Sequence, residues 1–202
     1  MRKATWTLAV AAAVVAVIGV VGFTWAQDAK PAANPVVVMK TTMGVIKIEL
    51  WPDKAPETVK NFLTLADGKF YDGMLIHRSW TNKVLQGGQY TKDWQRKEAP
   101  AAIKNEAKAD VKNLRGTFAM ANHGEELNSA KNQFAVNLAD NAMFDHRDDT
   151  GKGQGMCVFG KVIEGMDIAD KMGQVETEVS NGHNDVPKTP IVIDSLTRDA
   201  AK

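Results

Sequence analysis

The feature that most constrains this chain is a succession of short apolar runs, each closed by a polar or glycine-bearing turn. "VVVMKTTMGVIKIELW" holds two of them around Met43-Gly44, and in the second Ile46, Ile48 and Leu50 alternate with Lys47 and Glu49. A period of two sends successive side chains to opposite faces of a strand, so the pattern predicts a half-buried antiparallel hairpin. Six more runs follow: "GMLIHRSW", "KVLQGG", "GTFAMAN", "NQFAVNLA", "GMCVFGKVI" and "PIVIDSLT". Their lengths and spacing predict a mainly β fold, a mostly antiparallel barrel.

Two segments break the period of two. "APETVKNFLTLADGKF" places Val59, Phe62, Leu63 and Ala66 at helical spacing, with Pro56 near the start and Gly68 just past the end. Proline pre-sets the first helical turn and glycine follows the last, so a short amphipathic helix is predicted. A second is predicted over Met166 to Met172, where Met166, Ala169 and Met172 share a face. The stretches Lys92 to Asn113 and Asp145 to Gly155 are too long and hydrophilic for strand interiors and read as surface loops, where binding determinants often sit. No internal repeat is found.

At the N-terminus, Arg2 and Lys3 precede an almost uninterrupted apolar run from Leu8 to Trp25, followed by the polar tether "DAKPAANP". This predicts an export signal over residues 1–26, a linker over 27–35 and one folded domain over 36–198. An uncleaved anchor through residues 5–25 is the other reading, since about 18 apolar residues is near the lower limit for a spanning helix. Either way the domain is expected in the periplasm or otherwise exported. Loss of Arg2 and Lys3 takes the basic count from 25 to 23 against 24 acidic residues, a net charge of −1. A near-neutral domain without basic clusters gives no electrostatic case for nucleic acid. Cys157 is the only cysteine, so no internal disulfide can form.

Several kinds of chemistry are set aside on spacing. His77, His123, His146 and His183 have no partner at metal-ligand spacing, so no metal is expected. The acidic residues of "DHRDDTGKGQG" miss the alternating register of a calcium loop, and "GKGQG" lacks the pattern of a phosphate-binding loop. Ser79, Ser129, Ser180 and Ser195 have no elbow glycines beside them, and Cys157 sits inside an apolar run as a core residue.

What remains is "IHRSWTNKVLQGG", Ile76 to Gly88: a cation, an amide and two glycines with no nucleophile nearby. Singly, each residue reads as a solvated charge or a turn. Taken with "TTMGVIKIELWPDKAPETVKNF", "FYDGMLIHR", "QGGQYT", "RGTFAMAN", "NQFAVNLADN" and "VFGKVIEGMDIADKM", in this order and spacing, the chain resembles the cyclophilins, especially bacterial exported ones, from about Val36 to about Thr197.

The resemblance implies an eight-stranded antiparallel β-barrel capped by two α-helices, a peptide groove on its outer face, and peptidyl-prolyl cis–trans isomerisation without a cofactor. Arg78 matches the family's catalytic arginine. Gln86 and Gln133 match the glutamines that position it and the peptide, and Ala121 and Asn122 match the segment that pairs with the substrate main chain. Gly87 and Gly88 let backbone pack closely. Partners would be proline-containing segments of exported proteins, with the domain expected as a monomer.

The chain departs from the family in the proline pocket. Lys83 and Val84 stand in the stretch between Arg78 and Gln86 where the family carries phenylalanine and methionine, which places a charge where proline should stack. Ala135 replaces a second pocket phenylalanine, removing an aromatic surface of about 150 Å² or more. Met143 and Phe144 fall where the family commonly has an aromatic residue followed by leucine, a swap suited to refilling the space at Ala135. Met156 stands where many relatives carry histidine or tyrosine. The alternative to an isomerase is thus a weakly catalytic or non-catalytic peptide-binding module on the same barrel.

Overall fold

The computed structural model describes residues 33–124 and 126–200. The expected export signal or anchor over 1–26 and most of the 27–35 linker lie outside the described residues. The predicted first hairpin is β1 (Val36–Thr41) and β2 (Gly44–Leu50), with Ile46, Ile48 and Leu50 fully buried and Lys47 and Glu49 only partly so. The helix α1 (Pro56–Asp67) follows, then β3 (Met74–Trp80), β4 (Val84–Thr91), β5 (Thr117–Met120) and β6 (Phe134–Asn137). The chain ends with β7 (Cys157–Glu164), α2 (Met166–Met172), β8 (Thr177–Ser180), β9 (His183–Pro187) and β10 (Ile191–Arg198).

Eight of the strands close on themselves in the order β1-β10-β3-β4-β6-β5-β7-β2, every neighbour antiparallel. Closure leaves no free sheet edge. The fold is mainly β, an antiparallel barrel as the apolar runs predicted, with the two helices expected from helical spacing and the eight strands that the resemblance implied. Strands β8 and β9 form a separate two-stranded hairpin that the sequence reading did not anticipate. Its signal was present: Asn181 and Gly182 both take positive φ, 51° and 77°, as a two-residue hairpin turn requires.

The core gathers where α1 packs on the barrel. Val59, Phe62, Leu63 and Ala66 are buried on one face of the helix. The Phe62 ring lies 5.0 to 6.2 Å from the rings of Tyr71, Phe118, Phe134 and Phe159, three of them edge-on. Helix α2 lies on β2, where Gly44 leaves room for Ile168, and its last carbonyl, at Met172, accepts a hydrogen bond from Ser79 on β3.

The two long polar stretches are less loop-like than their polarity implied. Asn113, at the end of the first long polar stretch, is 1% exposed. Its amide nitrogen donates to the Phe144 carbonyl at 2.9 Å and to the Met156 carbonyl at 3.3 Å, and its backbone N–H donates to Asp145 at 2.7 Å. One buried asparagine thereby ties two long loops together.

Candidate functional site

Strands β3 and β4 pair so that Arg78 lies opposite Gln86, and Gln86 in turn lies opposite Ala135 on β6. Eight residues of separation in sequence thus become direct neighbours across a ladder. Bulges on either side of Ile76 set this register. Behind the row, Gly88 takes φ 84°, and a Cβ there would sit 2.8 Å from the Asn132 carbonyl oxygen. Only glycine fits that approach.

Beyond this row opens a cavity of about 380 Å³ lined by Arg78, Val84, Gln86, Ala121, Asn122, Gly124, Ala135, Phe144 and Met156. Eight of the eleven residues named from sequence are therefore brought together. Gln133 lines a neighbouring cavity of about 400 Å³ that shares Arg78 and Gln86. Its side chain links the amides of Gln86 and Gln89 into a chain, and its backbone carbonyl accepts from the Ala121 N–H at 2.8 Å.

Two residues fall elsewhere. Lys83 ends the β3–β4 turn, its N–H bonded to the Trp80 carbonyl, and its side chain is exposed and outside the cavity lining. An ammonium group in an apolar floor would lose several kcal/mol of hydration, so the charge stays in water. Met143 is 59% exposed, while its neighbour Phe144 lines the same cavity as Ala135 and, among the described residues, supplies the only aromatic ring there. The expectation of a charge beneath the proline ring is thus corrected by the geometry: the cavity is walled by Val84, Ala135, Phe144 and Met156.

Arg78 is held from two directions. Its guanidinium carbon lies 4.9 Å from the Trp80 ring centroid, a cation–π contact, and its Nε donates to the Asp185 carboxylate at 3.2 Å. With the two side chains 35% and 31% exposed, this pair contributes roughly 1 kcal/mol or less to stability. Asp185 belongs to the unforeseen β9 strand, and nothing at sequence level connects it to an arginine 107 positions earlier.

His77 borders the second cavity, edge-on to Tyr90 with ring centroids 5.2 Å apart. Burial, with His183 and Arg78 beside it, pushes its pKa down to about 3, so the imidazole is neutral at physiological pH. The site as a whole offers hydrogen-bond donors and a fixed cation, a constellation for stabilising charge without proton transfer. Among the described residues no group of three or more His, Cys, Asp or Glu side chains is arranged to hold a metal ion.

The site thus joins an arginine, an amide relay and an apolar cleft on an antiparallel barrel. Residues 36–198 match the family model described as cyclophilin type peptidyl-prolyl cis-trans isomerase/CLD, and the chain belongs to that family. It is 41% identical to peptidyl-prolyl cis-trans isomerase A of Dickeya dadantii, across 91% of this chain and 94% of that protein. It is also 41% identical to isomerase B of Escherichia coli, across 80% of this chain and 98% of the relative. A solved cyclophilin-type isomerase from Cryptosporidium parvum, crystallised with the dipeptide Ala-Pro, shares the fold with a TM-score of 0.67 at 20% identity, covering 82% of this chain and 99% of its own.

Proposed function

We propose that this peptidyl-prolyl cis–trans isomerase accelerates X-Pro rotation in segments of exported proteins, with Arg78 as its electrostatic catalyst. The observation that carries the reading is the adjacency of Arg78, Gln86 and the apolar cleft of Val84, Ala135, Phe144 and Met156.

Rotation about an amide faces a barrier of about 18–20 kcal/mol, set by resonance between nitrogen and carbonyl. As the bond twists, the prolyl nitrogen becomes pyramidal and its lone pair localises. A guanidinium that donates to that lone pair stabilises the twisted state more than the planar one, which is what lowers a barrier. Arginine keeps its charge at any physiological pH and holds its donors in a rigid fork. The apolar cleft receives the proline ring, Gln133 and Asn122 offer amides to the peptide main chain, and the acyl side is free to turn. No bond breaks and no cofactor takes part in this scheme. Export to the periplasm rests on the apolar segment before residue 26, and the domain acts as a monomer.

The test is the isomerisation rate of short X-Pro peptides, measured by NMR exchange for the wild type and Arg78→Ala with peptide binding followed in parallel. Arg78→Ala is expected to lower kcat by about a hundredfold while peptide still binds. A wild type that binds peptide without accelerating rotation would instead identify a peptide-binding module, a reading favoured by the single aromatic ring in the cleft.

A further inference from the structure

We infer that Asp185, on the β8–β9 hairpin outside the barrel, is a positioning residue for Arg78: it fixes the guanidinium through Nε and leaves both Nη groups for the peptide. The inference rests on Arg78 being the catalytic cation.

Three observations carry it. The contact is made at Nε, with a donor–acceptor distance of 3.2 Å, and among the described residues the guanidinium makes no other hydrogen bond. A carboxylate that engaged the terminal fork would compete with substrate, whereas one on Nε restrains the plane of the group from behind. Asp185 also holds φ at +59° inside a strand. Left-handed backbone is tolerated by aspartate but disfavoured in a strand interior, and such outliers gather where a side chain must be aimed. Finally, the hairpin bearing it is anchored. His183, two residues before, stacks on Trp94 at 5.7 Å and 22° and meets Tyr90 edge-on at 5.1 Å, so the carboxylate projects from a fixed base.

Trp80 supplies a second contact, its ring centroid 4.9 Å from the guanidinium carbon, so the group is restrained by both a ring and a carboxylate. Orientation is what a rotating amide demands of its catalyst, because a donor displaced by about 1 Å loses up to about a hundredfold in rate. The ion pair partly offsets the cation's field, but both groups are about one-third exposed, and water screens that loss.

The experiment is a double-mutant cycle on X-Pro peptide isomerisation with kcat and KM resolved separately. Asp185→Ala is expected to lower kcat about tenfold with KM changed less than about twofold. Asp185→Asn, which keeps an acceptor for Nε, should stay within about threefold of wild type. Arg78→Ala combined with Asp185→Ala should be no slower than Arg78→Ala alone. Unchanged or increased kcat in Asp185→Ala overturns the inference, as does a change confined to KM or an additive loss in the double variant. Should Asp185→Ala fail to fold, Asp185→Glu, which keeps the charge and moves the acceptor by one methylene, must show the same kcat loss or the inference falls. Retention of activity by Arg78→Ala alone defeats the catalytic reading itself, whereas an inactive Arg78→Ala beside a fully active Asp185→Ala defeats only the positioning role.

Discussion

Burial decides the charge of His77. The residue is 4% exposed, its Nδ1 has no partner among the described residues, and its pKa falls to about 3. An unfolded chain titrates the same ring near 6.5. Between about pH 6.5 and 3 the unfolded state therefore carries a proton that the folded state refuses, so stability is full above about pH 6.5 and declines as pH falls toward 3. Urea unfolding across this range should show it, and His77→Phe is expected to remove close to one proton from the slope of stability against pH. An unchanged slope would mean that the native ring is charged. Residue types alone did not carry this scale: singly, Arg78 reads as a solvated charge and Gly87-Gly88 as a turn, and it was the family resemblance, in the order and spacing of the surrounding fragments, that marked Arg78 and Gln86 as the site. The same resemblance misplaced Lys83. Its position in the chain pointed at the cleft, but the β3–β4 turn sends its side chain to water.

At the scale of elements, α1 shows how a loop finishes a helix. Ala55 before it offers no side-chain cap. Glu106, from the long polar stretch, accepts from the Thr58 N–H and hydroxyl, each at 2.8 Å, and from the Glu57 N–H at 3.2 Å. A carboxylate there satisfies orphan donors and meets the positive end of the helix dipole. Glu106→Ala is expected to cost about 1–2 kcal/mol in chemical denaturation, and a loss below about 0.3 kcal/mol would show that water replaces the cap fully. The helix itself was readable from Pro56, Gly68 and its apolar spacing, because those signals are local. Its cap was not, since Glu106 lies 48 residues from Thr58 and looks like any solvated acid. The β8–β9 hairpin sits between these cases: Asn181-Gly182 announced a turn, yet the weakly apolar strands around it, with exposed Val179, gave no alternation to follow.

For the whole molecule, barrel closure and the α1 face meet at Phe62, fully buried among Tyr71, Phe118, Phe134 and Phe159. Phe62→Ala is expected to lower unfolding free energy by about 3–5 kcal/mol, read as a fall in thermal midpoint. A loss under about 1 kcal/mol would mean the core collapses into the space. The sequence's own periodicity determined a mostly antiparallel barrel and both helices, and its resemblance to a family supplied the count of eight strands and most of the cleft. Strand alternation, helical spacing and turn chemistry act between near neighbours, and family resemblance places the matching residues. Only the tertiary structure decided that Asp185 meets Arg78, that Asn113 ties Phe144 to Met156, and that Lys83 stays in solvent. Those outcomes depend on register, bulges and loop closure across tens of residues, where the energy of a contact exists only after the chain has brought its two ends together.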